Sequence, residues 1–332
     1  MKYLITGHTG FKGSWLAAML KMQGNQVYGV SLNPLNDSHY ELANIKKFLN
    51  RDIRLDIRNS KSLIRTFRRI QPDVILHLAA QSLVRESYEN PLYTYETNVI
   101  GTMNVLNAST KIDNLKATLV VTSDKVYKNR EDKTPFIETD PLGGEDPYSS
   151  SKAAADLATQ AWRSSYGTSP IAIARAGNVI GGGDYATDRI IPDSVRAIKN
   201  NENLVLRNPD ALRPWQHVLD CLNGYQKLVD MEIQNKTESE WNFGPDNLNQ
   251  RTVYDLVNYF QKSWGKELNI KVELSNKKES SYLALNSNRS RSELKWEEKL
   301  SFEESIEWTT DWYKSSNPVV ATENQIIEFM NL

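Results

Sequence analysis

The chain opens with a short apolar run, Lys2-Tyr3-Leu4-Ile5-Thr6, that runs into Gly7-His8-Thr9-Gly10-Phe11-Lys12-Gly13. A helix-forming stretch follows from about Gly13 to Gln23 and is stopped by Gly24. The first run fits a buried strand, and the last has the periodicity and stop signal of a helix. Glycine at every third position of the turn allows sharp bending and close approach by another group. The helix that leaves such a turn aims free N–H groups and a partial positive charge over it. This is the opening of a βαβ unit, and the anion that suits it is a dinucleotide pyrophosphate. An ordinary strand-to-helix turn is the competing reading, because three glycines alone are weak support.

The rest of the first half repeats the alternation. Strands are expected at Gln26–Val30, Ile53–Ile57, Val74–Leu78, Thr118–Val121 and Ile171–Ala174, and helices at Ser60–Ile70, from Asn90-Pro91 towards Thr110, and from Pro147 to about Tyr166. The third strand is reached without a clear helix. Short apolar strands alternating with helices predict an α/β fold with a doubly wound parallel sheet, Rossmann-like in form. After Ala176 the pattern becomes irregular. Gly181-Gly182-Gly183 opens a long loop, and shorter elements follow at Leu204–Leu206, Thr252–Trp264, Ile270–Glu273 and Ser301 to about Lys314, before a polar tail. The expected division is a dinucleotide-binding part over residues 1–177, rejoined by residues near 215–245, and a smaller substrate lobe over residues 178–332. A ligand is expected between them.

Composition excludes several classes. The net charge of −1 disfavours a nucleic-acid binder or an anionic-membrane binder. Cys221 is the single cysteine, so no internal disulfide and no cysteine cluster for zinc can form. His8, His39, His77 and His217 are scattered, without metal-ligand spacing. No apolar stretch approaches membrane-spanning length, and the N-terminus lacks a targeting pattern. A reducing cytoplasm fits these observations.

The chemistry is expected at Tyr148 and Lys152. They stand four apart behind Asp146, a good N-cap, and Pro147, which suits the first helical position. On a helix they share a face, so the ammonium lies near the phenol. Such a spacing occurs about once by chance in a chain with 15 tyrosines, so its weight comes from its partner, the glycine turn. Together they suggest hydride transfer to and from a nicotinamide. The second strand ends at Ser31, without the acid often found there for the ribose and without an arginine for a 2′-phosphate. NAD is expected rather than NADP. Asp56 is a candidate acceptor for the adenine amino group, or alternatively a turn cap. Asn178, Arg189 and Arg213 are candidates for phosphate oxygens. Trp215 and His217 are candidate pocket residues, His77 a structural one and His8 a turn residue.

By now the residues match a family. Gly7 to Leu16, His77-Leu78-Ala79-Ala80-Gln81, Thr97-Asn98-Val99, Thr122-Ser123-Asp124-Lys125, Tyr148 with Lys152, Arg175 to Asp184, and Arg213-Pro214-Trp215-Gln216-His217-Val218 run in order over about two thirds of the chain. In this the chain resembles the extended short-chain dehydrogenases/reductases that act on nucleotide-sugars. Lys12, the Ser-Asp-Lys triplet and the Pro-Trp-Gln-His run resemble the CDP-glucose 4,6-dehydratase branch. Tyr282-Leu283-Ala284-Leu285 and the Trp308–Tyr313 region look similar too. Asn33 to Asp37 and Val126 depart from the pattern, though neither touches the proposed chemistry.

The resemblance implies NAD contacts from Gly7, Thr9, Gly10, Phe11, Lys12, Gly13, Asp56, Ile57, Leu78, Ala79, Ala80, Asn98, Thr122, Tyr148 and Lys152. It implies nucleotide-sugar contacts from Gln81, Asn178, Arg189, Arg213 and His217. It also implies an internal redox reaction. Tyr148, as phenolate, removes the hexose C4 hydroxyl proton while NAD⁺ takes the C4 hydride; Lys152 lowers the phenol pKa by its charge and Ser123 hydrogen-bonds the same oxygen. Water then leaves across C5 and C6, served by Asp124 and Lys125, and the hydride returns to C6. No metal is implied, and helices Asn90–Thr110 and Pro147–Tyr166 resemble those that pair subunits in a homodimer or homotetramer. Other readings stay open: a GDP-, UDP- or dTDP-linked sugar, a 4-epimerase or reductase on the same scaffold, or a non-catalytic NAD-binding regulator. Asp124-Lys125 argues against the epimerase, which needs neither group. Intact Ser123, Tyr148 and Lys152 argue against the regulator.

Overall fold

The computed structural model describes residues 1–130, 132–167, 169–235, 239–246, 251–273 and 283–332; Tyr282 lies outside them. The first half runs β1 (Lys2–Thr6), α1 (Phe11–Met22), β2 (Gln26–Ser31), α2 (His39–Leu42), β3 (Arg51–Arg54), α3 (Ser60–Ile70), β4 (Val74–His77), α4 (Val84–Glu89), α5 (Pro91–Tyr95), α6 (Gly101–Ser109), β5 (Ala117–Val121), α7 (Pro147–Tyr166) and β6 (Ile171–Ala176). The second half runs β7 (Val179–Ile180), α8 (Ile190–Asn200), β8 (Asn203–Leu206), β9 (Leu212–Arg213), β10 (Gln216–His217), α9 (Val218–Asn235), β11 (Glu240–Phe243), β12 (Arg251–Thr252), α10 (Val253–Trp264), β13 (Asn269–Val272), α11 (Asn288–Leu294), α12 (Phe302–Lys314) and α13 (Pro318–Asn331).

Seven strands form one sheet in the order β11-β6-β5-β4-β1-β2-β3. All its pairs are parallel. Buried strands of this kind carry apolar residues on both faces. In β1, Ile5 joins a core with Trp15, Leu219 and Phe243, while Leu4 joins a second core with Phe67, Ile75 and Val105. Alternation of neighbouring side chains across the sheet produces that split. The chain reverses direction across the sheet between β1 and β4, whose ends meet at Thr6 and His77. A crevice opens at that switch point, where open parallel sheets hold ligands. Smaller pairs, β7–β10, β8–β13 and β9–β12, build the irregular second half.

Three expectations change. The third strand is Arg51–Arg54, so Asp56 and Ile57 sit in the loop beyond its carboxyl end. The helix expected from Asn90 towards Thr110 is divided: a π-helical turn, Glu96–Ile100, separates α5 from α6. The polar tail is the helix α13, capped by Asn317, whose side chain accepts from Val320 N–H. Its buried stripe, Thr322, Ile326 and Phe329, is too sparse to stand out in a polar stretch. Trp312 Nε1 donates to Thr322 Oγ1 at 2.9 Å and so ties α12 to α13. Among the described residues, no helix is long and apolar enough to cross a membrane.

Candidate active site

A cavity of about 1020 Å³ lies over the carboxyl ends of β1, β4, β5 and β6. At one end the backbone forms the wall. Gly7 has φ +80°, and a Cβ there would stand 2.6 Å from Ala79 N. A Cβ on Gly13 would stand 2.2 Å from Gly7 O. Both positions therefore require glycine. Helix α1 starts behind Gly10 with no side-chain cap and no acid in its first turn. Its N–H groups and the Lys12 ammonium can thus serve an anion in the cavity. Beside them Thr9 Oγ1 and Ser31 Oγ lie 2.6 Å apart, and Thr9 donates to Leu32 O. Ile57, Leu78, Ala79, Ala80 and Thr122 continue this wall. Asp56 also lines it, but Arg58 grips its carboxylate at 2.7 and 3.0 Å and holds it below the usual carboxylate range. An uncapped helix start, a neutral hydroxyl pair and a glycine cradle fit a dinucleotide.

The middle of the cavity carries the reactive groups. Strand β5 ends at Val121, and Thr122-Ser123 leads into a 3₁₀ turn, Asp124–Val126. Ser123 Oγ caps that turn by accepting from Lys125 N–H and donates to Asp124 Oδ1 at 3.0 Å. Helix α7 faces it. Asp146 caps α7 by accepting from Ser149 N–H at 2.9 Å, which sets where Tyr148 and Lys152 emerge. Burial pushes the Tyr148 phenol pKa up, and the Ser123 hydroxyl opposes that rise. Lys152 Nζ donates to Val121 O at 2.9 Å rather than to the phenol. Burial, and then the charge of Lys12, bring Lys152 down to about 7, against the pull of Asp156. Burial raises Asp124 above the usual carboxylate range, with Lys125, Ser123, Arg213 and Lys12 opposing. Asp124 Oδ2 is buried and has no hydrogen-bond partner among the described residues. Lys12 Nζ donates to Tyr225 Oη at 3.2 Å beneath this cluster.

Side chains form the far end. Arg189 pairs with Asp184 at 2.7 Å. Arg85 and Arg207 both pair with Asp188, at 3.2 and 3.0 Å. Asn178, Arg213 and Trp215 also line the cavity, and Arg213 is close enough to Asp124 to oppose the rise in its pKa. Sequence reading missed Arg85 and Arg207, since nothing in their local sequence separates them from the other basic residues.

Three expected contacts are not on the cavity wall. Gln81 uses its amide on Leu83 and Thr94. Asn98 bridges Gln81 and Ser151. These two amides fasten the π turn to α7 instead. His217 is fully buried between Trp15 and Trp308, and burial holds it neutral with a pKa of about 3. His77 is structural, between Thr6 and Thr102 at 2.6 and 2.9 Å. His8 points away from the cavity and meets Asp52 at 2.8 Å.

Comparison with known proteins agrees with this architecture. The family model described as GDP-mannose 4,6 dehydratase matches residues 4–309. A CDP-glucose 4,6-dehydratase of Salmonella typhimurium is 37% identical over 99% of this chain and 96% of the relative. The dTDP-glucose 4,6-dehydratase 1 of Escherichia coli is 25% identical over 95% of this chain and 93% of the relative. The crystal structure of dTDP-glucose 4,6-dehydratase from Bacillus anthracis, solved in complex with NAD, superposes with a TM-score of 0.81 at 26% identity, covering 96% of this chain and 98% of the other. The chain belongs to the GDP-mannose 4,6 dehydratase family, and it is similar over nearly its whole length to a CDP-glucose 4,6-dehydratase.

Proposed function

We propose that the protein is an NAD-dependent 4,6-dehydratase of a nucleotide-hexose, with CDP-glucose as substrate and CDP-4-keto-6-deoxyglucose as product. The observation that carries this reading is Asp124. It is a buried carboxyl with one free oxygen, on the wall that also holds Ser123, Tyr148 and Lys152. Simple oxidation and return at C4 has no use for that acid; elimination of water does. The choice of CDP-glucose rests on the 37% identical relative.

The bound nicotinamide supplies a hydride acceptor at C4 and gives the same hydride back at C6. The chain's own groups handle the protons. Tyr148 takes the C4 hydroxyl proton as a phenolate, and Ser123 donates to the same oxygen. Burial opposes that ionisation; the supporting role is assigned to the positive charge of Lys152, one helical turn on. The resulting 4-ketone makes the C5 hydrogen acidic. Asp124 holds its proton to a higher pH than an ordinary carboxyl and delivers it to the C6 hydroxyl, which leaves as water. Lys125, next in the same turn, removes the C5 proton or steadies the enolate by its charge.

In this reading residues 1–177, with the α9–β11 stretch, hold NAD, and most of residues 178–332 hold the nucleotide-sugar. Arg189 and Arg213, joined by Arg85 and Arg207, meet the diphosphate. Leu92, Ile100 and Leu157 are at least half exposed on α5, the π turn and α7, and this apolar face supports a homodimer built on those helices. The enzyme works in the cytoplasm.

The test is incubation with NAD and a panel of CDP-, dTDP-, GDP- and UDP-hexoses, with mass spectrometry for loss of one water. CDP-glucose should give the largest yield. Asp124→Asn should oxidise C4 and then stall, so that reduced nicotinamide builds up by its ultraviolet absorbance while little dehydrated product forms. Product formation by Asp124→Asn at the parent rate would refute the mechanism.

A further inference from the structure

One buried network touches every element that delivers a reactive group, yet no reaction step uses it. Asp156 stands four residues after Lys152 on the same face of α7 and is 0% exposed. Arg175, on β6, is 1% exposed. The guanidinium meets the carboxylate through two bonds, Nε to Oδ2 and Nη2 to Oδ1, each 2.8 Å. Thr122 Oγ1 donates to the same carboxylate at 3.0 Å, and Gln160 Nε2 at 2.8 Å. Arg175 Nη1 then donates to Tyr127 Oη at 3.0 Å and to Glu138 O at 2.8 Å. Tyr127 Oη donates onward to Asn242 Oδ1 at 2.7 Å, on β11.

Placement along the chain gives this network its meaning. Thr122 immediately precedes Ser123-Asp124-Lys125, and Tyr127 closely follows it. The ion pair therefore grips both flanks of the turn that presents Ser123, Asp124 and Lys125. The same carboxylate fastens that turn to α7, which presents Tyr148 and Lys152. Strand β6 completes the frame, because Thr122 N–H also donates to Ala174 O at 2.9 Å.

We propose that the Asp156–Arg175 pair is a positioning device that holds the Ser123-Asp124-Lys125 turn in register with Tyr148 and Lys152. This rests on the dehydratase reading above. Stability is a poor reason for such a pair, since desolvation cancels much of its attraction and apolar replacements of similar volume are often neutral or stabilising. Register is a better one, since a misplacement of about 1 Å costs roughly 10²-fold in rate. Charge acts in the same direction. Asp156 favours the protonated form of Lys152, against burial and the Lys12 charge on α1. The charged and titratable groups that face the network are Lys152 on α7, Tyr127 after the turn and Glu138 in the following loop, itself faced by Arg289; Lys12 and His77 face Lys152 from α1 and β4, and Asp124, Arg189 and Asp146 face Tyr148.

The experiment compares the NAD-loaded parent with Asp156→Leu/Arg175→Met and with Thr122→Val. The double variant removes both charges at once and leaves neither unpaired. We expect it to fold, with KM and NAD affinity within about two-fold of the parent and kcat reduced roughly 10- to 100-fold. The acid limb of its pH–rate profile should move to higher pH, because Tyr148 loses support for its phenolate. Thr122→Val should move both quantities the same way by less. Parent-like kcat and an unmoved limb in a folded double variant would overturn the proposal. If the double variant does not fold, Thr122→Val decides alone by the same two readings. Ultraviolet difference titration of the phenol, read against Tyr148→Phe, gives an answer that needs no turnover. Should the parent dehydrate no nucleotide-hexose, the functional reading fails, while an upward shift in that titration still upholds the pair and an unchanged titration rejects it.

Discussion

The two ends of the cavity are built from different materials. The end under β1 and α1 is mostly backbone: Gly7, Gly13 and the first turn of α1 press against one another with no room for a methyl group. The opposite end is made of long side chains, Arg85, Arg189 and Arg207, of which Asp188 holds the first and last and Asp184 holds Arg189. A backbone wall is rigid and recognises a shape common to every dinucleotide. An arginine wall can be retuned one residue at a time, since each guanidinium meets phosphate oxygens with its own fork of donors. The reactive groups lie between them, so in the proposed reading the cofactor meets the rigid side and the nucleotide-sugar the adjustable one.

The largest effect should come at the join. Tyr148→Phe keeps the ring and removes the titrating oxygen. Turnover should fall by about 10²–10⁴-fold. Affinity for NAD and for the nucleotide-sugar should hold, as calorimetry can check. A matching loss of affinity for either ligand would show that the join also serves as a binding wall, and the division of labour would blur.

Gly13→Val challenges the backbone end. Its Cβ would fall 2.2 Å from Gly7 O and 2.9 Å from His8 Cα, so α1 must shift away from the turn. NAD affinity should drop at least ~100-fold, about 2.7 kcal/mol. CDP-glucose affinity should change little. Equal losses at both ends would mean that the two walls move together.

How much of this was legible follows from the same contrast. The glycine turn, β1 and α1 could be read directly, because steric rules act on neighbours in the chain. The Ser123-Asp124-Lys125 turn could be placed at a strand end, and Tyr148 and Lys152 on one helix face, for the same reason. Arg85 and Arg207 could not, because Asp188 gathers Arg85 from 103 positions before it and Arg207 from 19 positions after it. Gln81, Asn98 and His217 failed in the opposite sense. Gln81 and Asn98 have the polar atoms of binding residues, but tertiary packing spends them on Thr94 and Ser151, while the His217 ring is buried between Trp15 and Trp308. The same limit hid α13, whose buried stripe is clear only once α12 lies against it.

At the side-chain end, graded losses are expected. Arg85→Ala and Arg207→Ala should each raise KM for the nucleotide-sugar about ten-fold, near 1.4 kcal/mol, with kcat largely kept. The double variant should cost less than the sum of the two, because Asp188 holds both guanidinium groups and removing one already alters the other's setting. Strict additivity in a steady-state cycle would show that Asp188 couples nothing.

The smallest effect concerns the second phosphate of NADP, and it asks whether the backbone end is truly free of charge selection. The 2′-phosphate of a bound cofactor falls near the end of β2, where Thr9 and Ser31 form a neutral hydroxyl pair. No lysine or arginine among residues 31–35 can meet it. Arg58 is nearby in sequence to the Asp56 loop, but Asp56 and Glu96 occupy its guanidinium. Arg54, in register with Ser31 on β3, is likewise held by Asp52 and Tyr40, so NAD should bind more tightly than NADP, by about ten-fold or 1.4 kcal/mol, since the extra dianion would have to compete for guanidinium groups already paired. Ser31→Arg should narrow that gap or reverse it, and the gain should shrink as salt is added because the new contact is partly exposed. Calorimetry with both cofactors at two ionic strengths reads this out. Tighter binding of NADP by the parent would show that a guanidinium does reach the backbone end, and that selection by charge is not confined to the wall of arginines.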